Sequence, residues 1–503
     1  MFFCRAKIMT SERNLEYHLV QVGEFGRFQV GLQMVLCLMK IPQQMQVLIT
    51  YFTSLSPTWI CTEHGSLCAT NVTYSAENTS RCLLPRHSWE YSTLSSYSIV
   101  TDFDLACGQE WLAHLSTTIT FVGWTIGSIV FGWVVDNYGR KNILFFSYTF
   151  MLSLILLGAL SPNVEVFIVS RFFTGFFMGG VYVTVTVMSV EFVGPSCRPI
   201  SSAVLIIAAI FGNALLCVSA YFIQNWKVLF IVCTCPYYVA LVFWKFMPES
   251  IKWLQSKGYS LEVTQLLVKI AKTNKKNTKL HRNIPSISDE VVIQERNILA
   301  LFSKRPMLLR SLSQGYGWFT VVLGYYGLSL ASSEFGIGSL YLNFLLATLA
   351  EVPGSLFAVY ACRRYGRKPA TIYPLLASGL CCIILASLQE KGDLEKVRLF
   401  IGLLVKLCIT TTFDSITTWS IELYPTHLRA IGTGYVQVTG RIGGAVAPWI
   451  AKYLGVYSKK APFIGMAVFL LSSGLFLFIL PETKNGLDFT EKTPLVCKSD
   501  DIL

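Results

Sequence analysis

The chain of 503 residues repeats itself in order. Asp136-Asn137-Tyr138-Gly139-Arg140-Lys141 returns as Arg363-Arg364-Tyr365-Gly366-Arg367-Lys368, an offset of 227. Arg171-Phe172-Phe173-Thr174-Gly175 is echoed 227 residues later by Arg398-Leu399-Phe400-Ile401-Gly402. Glu191-Phe192-Val193-Gly194-Pro195-Ser196-Cys197-Arg198 returns as Glu422-Leu423-Tyr424-Pro425-Thr426-His427-Leu428-Arg429 at 231, and Pro248-Glu249-Ser250 as Pro481-Glu482-Thr483 at 233. Echoes in one order at one spacing mark a duplicated half. Long apolar stretches dominate both halves, so the repeated unit is a membrane bundle, and parallel repeats of that kind build carriers.

Composition agrees. Hydrophobic residues make up 53% and charged residues 14%, with a mean hydropathy of +0.52; soluble domains carry about 25% charge. The net charge of +12 fits the excess of Lys and Arg on the cytoplasmic side of polytopic proteins better than a nucleic-acid partner. The first apolar run, near 30–55, is too long for a signal-peptide core, so no cleaved leader is expected. No metal-spaced His/Cys cluster, nucleophile elbow or GxxxxGK[ST] loop occurs, so neither catalysis, a metal, a cofactor nor ATP-driven pumping is expected.

A bilayer span needs about 20 apolar residues. That ruler predicts an all-α membrane protein with spans at 30–55, 112–135, 143–161, 166–189, 200–223, 228–247, 308–331, 339–361, 370–388, 397–420, 432–453 and 463–480. They form two pseudo-symmetric sets of six, 30–247 and 308–481. Around them lie an N-terminal segment 1–29, a 248–307 linker read as amphipathic helices under the bundle (Leu261, Leu266, Leu267, Ile270), and a tail 482–503. The linker is rich in Lys and Arg and shares a side with Arg140, Arg198, Arg363, Arg367 and Arg429. That side, with both termini, is expected to be cytoplasmic. The opposite 57–111 loop holds the sequons at Asn71 and Asn78 and the clustered Cys61, Cys68, Cys82 and Cys107, all suited to an extracellular setting at the plasma membrane. Four cysteines allow three pairings, and the choice stays open.

Gly132-Trp133-Val134-Val135-Asp136-Asn137-Tyr138-Gly139-Arg140-Lys141 resembles the loop signature of the major facilitator superfamily. Gly23-Glu24-Phe25-Gly26-Arg27, Met247-Pro248-Glu249-Ser250, Gly324-Tyr325-Tyr326-Gly327, Glu351-Val352-Pro353-Gly354 and Glu422-Leu423-Tyr424-Pro425 resemble the organic cation/anion/carnitine transporters of solute carrier family 22. The resemblance covers nearly the whole chain and implies a secondary carrier of small organic ions working by alternating access, in contact with membrane lipid. Asp136, Gly139, Arg140, Glu191, Arg198, Gly366, Arg367, Glu422 and Arg429 would then be gating residues. Asp136 is read as a latch, expected to be weaker in the second half, where Arg363 replaces it. The first loop is short and has fewer cysteines than is common in the family. Oligomerisation through it therefore does not carry over, and oligomeric state stays open.

Ionisable groups within spans are functional candidates. They are Lys40, Glu351, Lys406, Asp414 and Arg441. Arg441 lies about 13 Å into its span. The resemblance implies that Arg here accompanies anion and carnitine carriers, and a guanidinium fork matches a carboxylate or sulfonate. The competing reading pairs Arg441 with Glu351 or Asp414. Lys40, beside Pro42, Gln43, Gln44 and Gln46, is read as part of a kinked helix facing a wet cavity. Asp414 either meets a positive group or neutralises Lys406 indirectly. Tyr182, Trp318, Phe319, Tyr325 and Tyr326 are candidate cavity walls, while Ser355 stands where anion carriers of the family often have a basic residue. The charges point first to organic anions, placing the chain nearer the family's anion and zwitterion branch. A carnitine-like zwitterion or an organic cation is the alternative, with an exchanged anion or co-transported ion supplying energy. A non-transporting receptor on the same fold is the third reading.

Overall fold

The computed structural model describes residues 15–62, 72–74, 82–93, 95–276, 298–303, 305–335, 339–389, 394–425 and 428–484. Twelve long helices stand out among them. The first six are α1 (Arg27–Thr53), α2 (Trp111–Tyr138), α3 (Lys141–Ala159), α4 (Val164–Glu191), α5 (Arg198–Phe222) and α6 (Trp226–Lys245). The second six are α7 (Arg305–Leu330), α8 (Leu340–Arg364), α9 (Arg367–Leu388), α10 (Glu395–Leu423), α11 (Arg429–Tyr457) and α12 (Ala461–Leu477). Eight are long and apolar enough to cross a bilayer by length and composition alone; α1, α7, α11 and α12 are not among these eight. α12 has only 17 residues. The other three carry polar side chains into the interior, including Gln43 and Gln46 on α1, Gln314 and Ser329 on α7 and Arg441 on α11, all buried.

Prolines modify two spans. Pro236 follows Cys235, where α6 tightens into a 3-10 helix through Lys245; a missing N–H and a ring clash with the preceding turn favour that change. In α8, Pro353 lies just beyond a break at Ala350 that separates Leu340–Leu349 from Glu351–Arg364. By contrast, α1 runs from Arg27 to Thr53 without interruption through Pro42.

Small residues set the closest helix approach. A Cβ on Gly127 of α2 would lie 1.9 Å from the Phe176 carbonyl oxygen of α4, so these backbones touch directly. The α2–α3 and α8–α9 turns need glycine for another reason: Gly139 and Gly366 have φ of +98° and +112°.

Two linker helices follow α6, Ile251–Ser256 and Ser260–Thr273. The second buries Val263, Leu266, Leu267 and Ile270, a three-and-four spacing, and leaves Leu261 exposed. The Asn274 amide pins this helix to the start of α1, accepting from Phe28 N at 3.0 Å and donating to the Val22 carbonyl at 3.0 Å.

The 57–111 segment adds a feature the all-α reading lacked. Three short strands, β1 (Trp59–Cys61), β2 (Thr73–Tyr74) and β3 (Trp89–Tyr91), form an antiparallel sheet ordered β2-β1-β3. Trp59 and Trp89 are its buried centre. Cys82 and Cys107 form a disulfide with a Cα–Cα distance of 5.3 Å, and Cys61 is disulfide-bonded as well. Cys68, Asn71 and Asn78 lie outside the described residues.

The halves meet toward the end of the helices that carries this loop. The Trp449 indole donates to Thr118 Oγ1 at 2.6 Å, whose hydroxyl donates to the Ala445 carbonyl at 2.8 Å. Tyr51 and Ser332 hydroxyls lie 3.0 Å apart, and Phe52 stacks on Tyr341 with centroids 5.6 Å apart. These contacts join α1 and α2 to α8, α11 and the turn after α7.

Candidate substrate site

Near the middle of the molecule, three helices bring two cations to one aromatic ring. Lys40 Nζ of α1 lies 4.7 Å from the centre of the Tyr182 ring of α4, and Arg441 Cζ of α11 lies 5.0 Å from it. The Arg441 guanidinium also covers the Trp124 ring of α2 at 4.8 Å. Trp124 meets Tyr182 edge-on at 5.5 Å, and Phe121 bridges to Tyr326 of α7 at 5.0 Å. Lys40 and Arg441 are only 9% and 6% exposed.

Neither cation has a carboxylate within 4.0 Å in an ion pair among the described residues. Lys40 donates to Gln43 Oε1 at 3.1 Å. Arg441 Nη1 donates to the Gln437 carbonyl at 2.9 Å and to its side-chain oxygen at 3.1 Å, while Nε has no hydrogen-bond partner among the described residues. Ring faces and amide oxygens stabilise the charges without cancelling them. The arrangement leaves a positive, aromatic-walled site.

Glu351 is occupied elsewhere, which removes it as a partner for Arg441. Its carboxylate lies 3.0 Å from Lys406 Nζ, and both side chains are almost fully buried at 5% and 1% exposure. The Tyr325 hydroxyl donates to both Glu351 oxygens at 3.0 and 2.9 Å. Lys406 donates further to Ser329 Oγ at 2.6 Å and stands 3.7 Å above the Tyr325 ring. Thus Lys406 has Glu351 as its direct carboxylate partner. Asp414 lies beside Ser355, and its Oδ2 has no hydrogen-bond partner among the described residues.

The remaining expectations divide. Trp318 is tied into the helix interface instead of the cationic cluster: its indole donates to Ser420 Oγ at 2.7 Å and its ring meets Phe413 at 5.7 Å. Helix 1's polarity also serves packing. The Gln46 side chain and carbonyl accept from Arg171 of α4, both at 3.0 Å. Arg171, itself buried, was missed as an intramembrane charge although it falls inside the predicted 166–189 span. Trp124 and Phe121 were missed too; the three-residue step from Phe121 to Trp124 was their only signal.

The gating words build two equivalent clamps at the opposite ends of the helices. Glu249 accepts from the backbone N–H of Arg140 at 2.7 Å and Lys141 at 3.2 Å, while Glu482 accepts from Arg367 at 2.9 Å and Lys368 at 3.0 Å. Arg140 Nε lies 3.4 Å from Glu191, and Arg367 donates to Glu422 at 2.8 Å. Ser250 donates to Glu191 and Thr483 to Glu422. Asp136, in the last turn of α2, makes an exposed bond to Arg140 at 3.2 Å, just beyond the Gly139 turn. Glu249 and Glu482 grip the two turns alike, whereas the Asp136–Arg140 contact belongs to the first copy, where Arg363 stands at the equivalent position of the second. Arg198 pairs with Glu16 at 2.7 Å, and Arg429 opens α11.

A duplicated six-helix architecture around a charged, ring-lined centre defines a membrane transporter of the major facilitator class. The description "Sugar (and other) transporter" belongs to the family profile that matches residues 66–492. The organic cation transporter protein of Drosophila melanogaster is 28% identical, with 93% of this chain and 92% of the relative aligned. Organic cation/carnitine transporter 2 of Homo sapiens is 30% identical over 78% of this chain and 71% of its own length. A partially occluded inward-open structure of the xylose transporter XylE from E. coli shares the fold at a TM-score of 0.62 and 15% identity, covering 91% of this chain and 99% of that one. The chain belongs to the sugar (and other) transporter family and, within it, to solute carrier family 22. It is a multi-pass secondary transporter, not an enzyme.

Proposed function

We propose that this transporter carries small organic anions across the plasma membrane by alternating access. The observation carrying the reading is the Lys40–Tyr182–Arg441 arrangement, in which two buried cations flank one ring without an ion-paired carboxylate among the described residues. A carboxylate or sulfonate supplies the missing charge, and Trp124, Tyr182 and Tyr326 offer faces to an organic ring. In this reading the Lys/Arg-rich linker and both termini are cytoplasmic, and the 57–111 loop with Asn71 and Asn78 is extracellular. The halves are therefore closed toward the outside, leaving the cytoplasmic side to open.

Asp414 supports a second reading. Its Oδ2 lacks a hydrogen-bond partner among the described residues and would suit the positive end of a zwitterion, a possibility consistent with the carnitine named for one human relative. Parallel uptake of urate, nicotinate, a dicarboxylate, carnitine and tetraethylammonium separates the two. Anion uptake without carnitine or tetraethylammonium uptake is expected; uptake of tetraethylammonium alone would refute the anion assignment. Tight binding without flux would point to a receptor.

A further inference from the structure

Each cation of the central site is held by a glutamine one helical turn away. On α1, Lys40 Nζ donates to the Gln43 side-chain oxygen at 3.1 Å, three residues on. On α11, Arg441 Nη1 donates to the Gln437 side-chain oxygen at 3.1 Å, four residues back, and to the Gln437 carbonyl at 2.9 Å. Helical side chains lean toward the N-terminus, so an arginine naturally reaches the residue four positions earlier. The guanidinium is thereby folded along its own helix, with Cζ 4.8 Å from the Trp124 ring centre and 5.0 Å from that of Tyr182. The Tyr182 hydroxyl also lies within hydrogen-bonding reach.

The two amides are not interchangeable. Gln43 uses both ends, because its nitrogen donates to the Met178 carbonyl of α4 at 3.4 Å. A carboxylate at 43 would set an oxygen against that carbonyl, so the amide there is needed for packing. The Gln437 nitrogen has no such bond among the described residues, and the side chain is partly exposed. Its amide is therefore not fixed by a second helix. An amide oxygen holds a guanidinium without cancelling its charge, whereas a carboxylate of the same shape would cancel it. One atom of the side chain at 437 separates the two cases.

We propose that Gln437 is a specificity-determining position of the transport site: its amide fixes the Arg441 guanidinium while leaving the positive charge for the carboxylate or sulfonate of the solute. The effect is exercised through Arg441, so Gln437 is a positioning residue and need not touch the solute. A carboxylate at 437 would pair with Arg441 within α11 and leave Lys40 alone to meet an anion. The preference for an anion over a zwitterion would then fall. The inference rests on Arg441 as an anion site and adds what keeps its charge available.

The test compares Gln437→Glu, which keeps the shape and adds a charge, with Gln437→Met, which keeps the length and removes the oxygen. In vesicles containing the full chain, Gln437→Met should raise the KM for nicotinate about threefold to tenfold with the maximal rate nearly kept, the effect of one neutral hydrogen bond. Gln437→Glu should lower nicotinate uptake at low concentration by about tenfold or more and raise the ratio of carnitine to nicotinate uptake. A packing role predicts the reverse order, with the isosteric Gln437→Glu the milder change; that order, or an unchanged ratio, would overturn the proposal. Melting temperature in detergent gives a readout without flux. Gln437→Glu should melt at or above the native chain, because a buried guanidinium gains a partner; a fall as large as that of Gln437→Met would also overturn it. Absence of nicotinate uptake by the native chain would instead count against the anion-carrier reading, and the melting comparison would still decide whether the amide at 437 leaves the charge of Arg441 open.

Discussion

Two buried cations in the second half have opposite circumstances. Lys406 is enclosed by Glu351, Tyr325 and Ser329, whereas Arg441 rests on rings and amide oxygens. Their removal should therefore be felt differently. Glu351→Gln leaves Lys406 without its carboxylate and is expected to destabilise the protein by about 3–5 kcal/mol. The double change Glu351→Gln with Lys406→Met should recover much of that loss, read as melting temperature in detergent. Arg441→Ala should leave the melting temperature nearly unchanged while lowering anion uptake on the order of 10- to 100-fold, the effect of one lost charge-assisted contact. A large loss of stability would make Arg441 a packing residue. Such charges were legible in the sequence because apolar spans make a lysine or arginine conspicuous. Their partners were not legible, since Glu351 is equally distant in sequence from any rule that would choose Lys406 over Arg441. Trp124 was hidden among many aromatics and became distinct only when α2 was placed against α4.

At the scale of elements, the duplicated turns are the informative parts. Each combines a positive-φ glycine with a carboxylate from the segment following the sixth helix of its own half. Proximity in sequence favoured Asp136, which forms a local ion pair with Arg140 across the turn. Glu249 and Glu482 were visible in the repeated Pro-Glu-Ser and Pro-Glu-Thr words; acids at helix ends are so ordinary that repetition was the sole indication. Glu249→Gln and Glu482→Gln should have similar effects, each weakening its turn by about 1.5–3 kcal/mol. Comparison of the two melting curves and maximal uptake rates checks this. A much milder effect at Glu482 would restore the expectation of an unequal second half. Helix positions were legible in the sequence, yet their ends were not. α2 and α4 each reach 28 residues because helical hydrogen bonding continues beyond the apolar run that marks the bilayer interior.

For the whole molecule, closure depends on a few polar contacts between halves. Thr118 accepts from Trp449 and donates to Ala445, so Thr118→Val removes two bonds while retaining side-chain volume. The gap at the loop-bearing end should open more often. Spin labels at the exposed positions Trp111 and Tyr453 should report a larger population of long separations in this variant; an unchanged distribution would place the closing energy elsewhere. The repeat made the twelve-helix plan legible, but no word in the sequence revealed which ends were together. That depends on side chains such as Tyr51 and Phe52 meeting Ser332 and Tyr341 across the seam.

The ring shared by Lys40 and Arg441 has a kinetic consequence. If those neighbouring positive charges await a solute, the vacant carrier is the strained traveller and its return stroke the slow one. Vesicles preloaded with nicotinate should then import labelled nicotinate faster than empty vesicles, and equal initial rates would show that the unladen protein crosses just as readily.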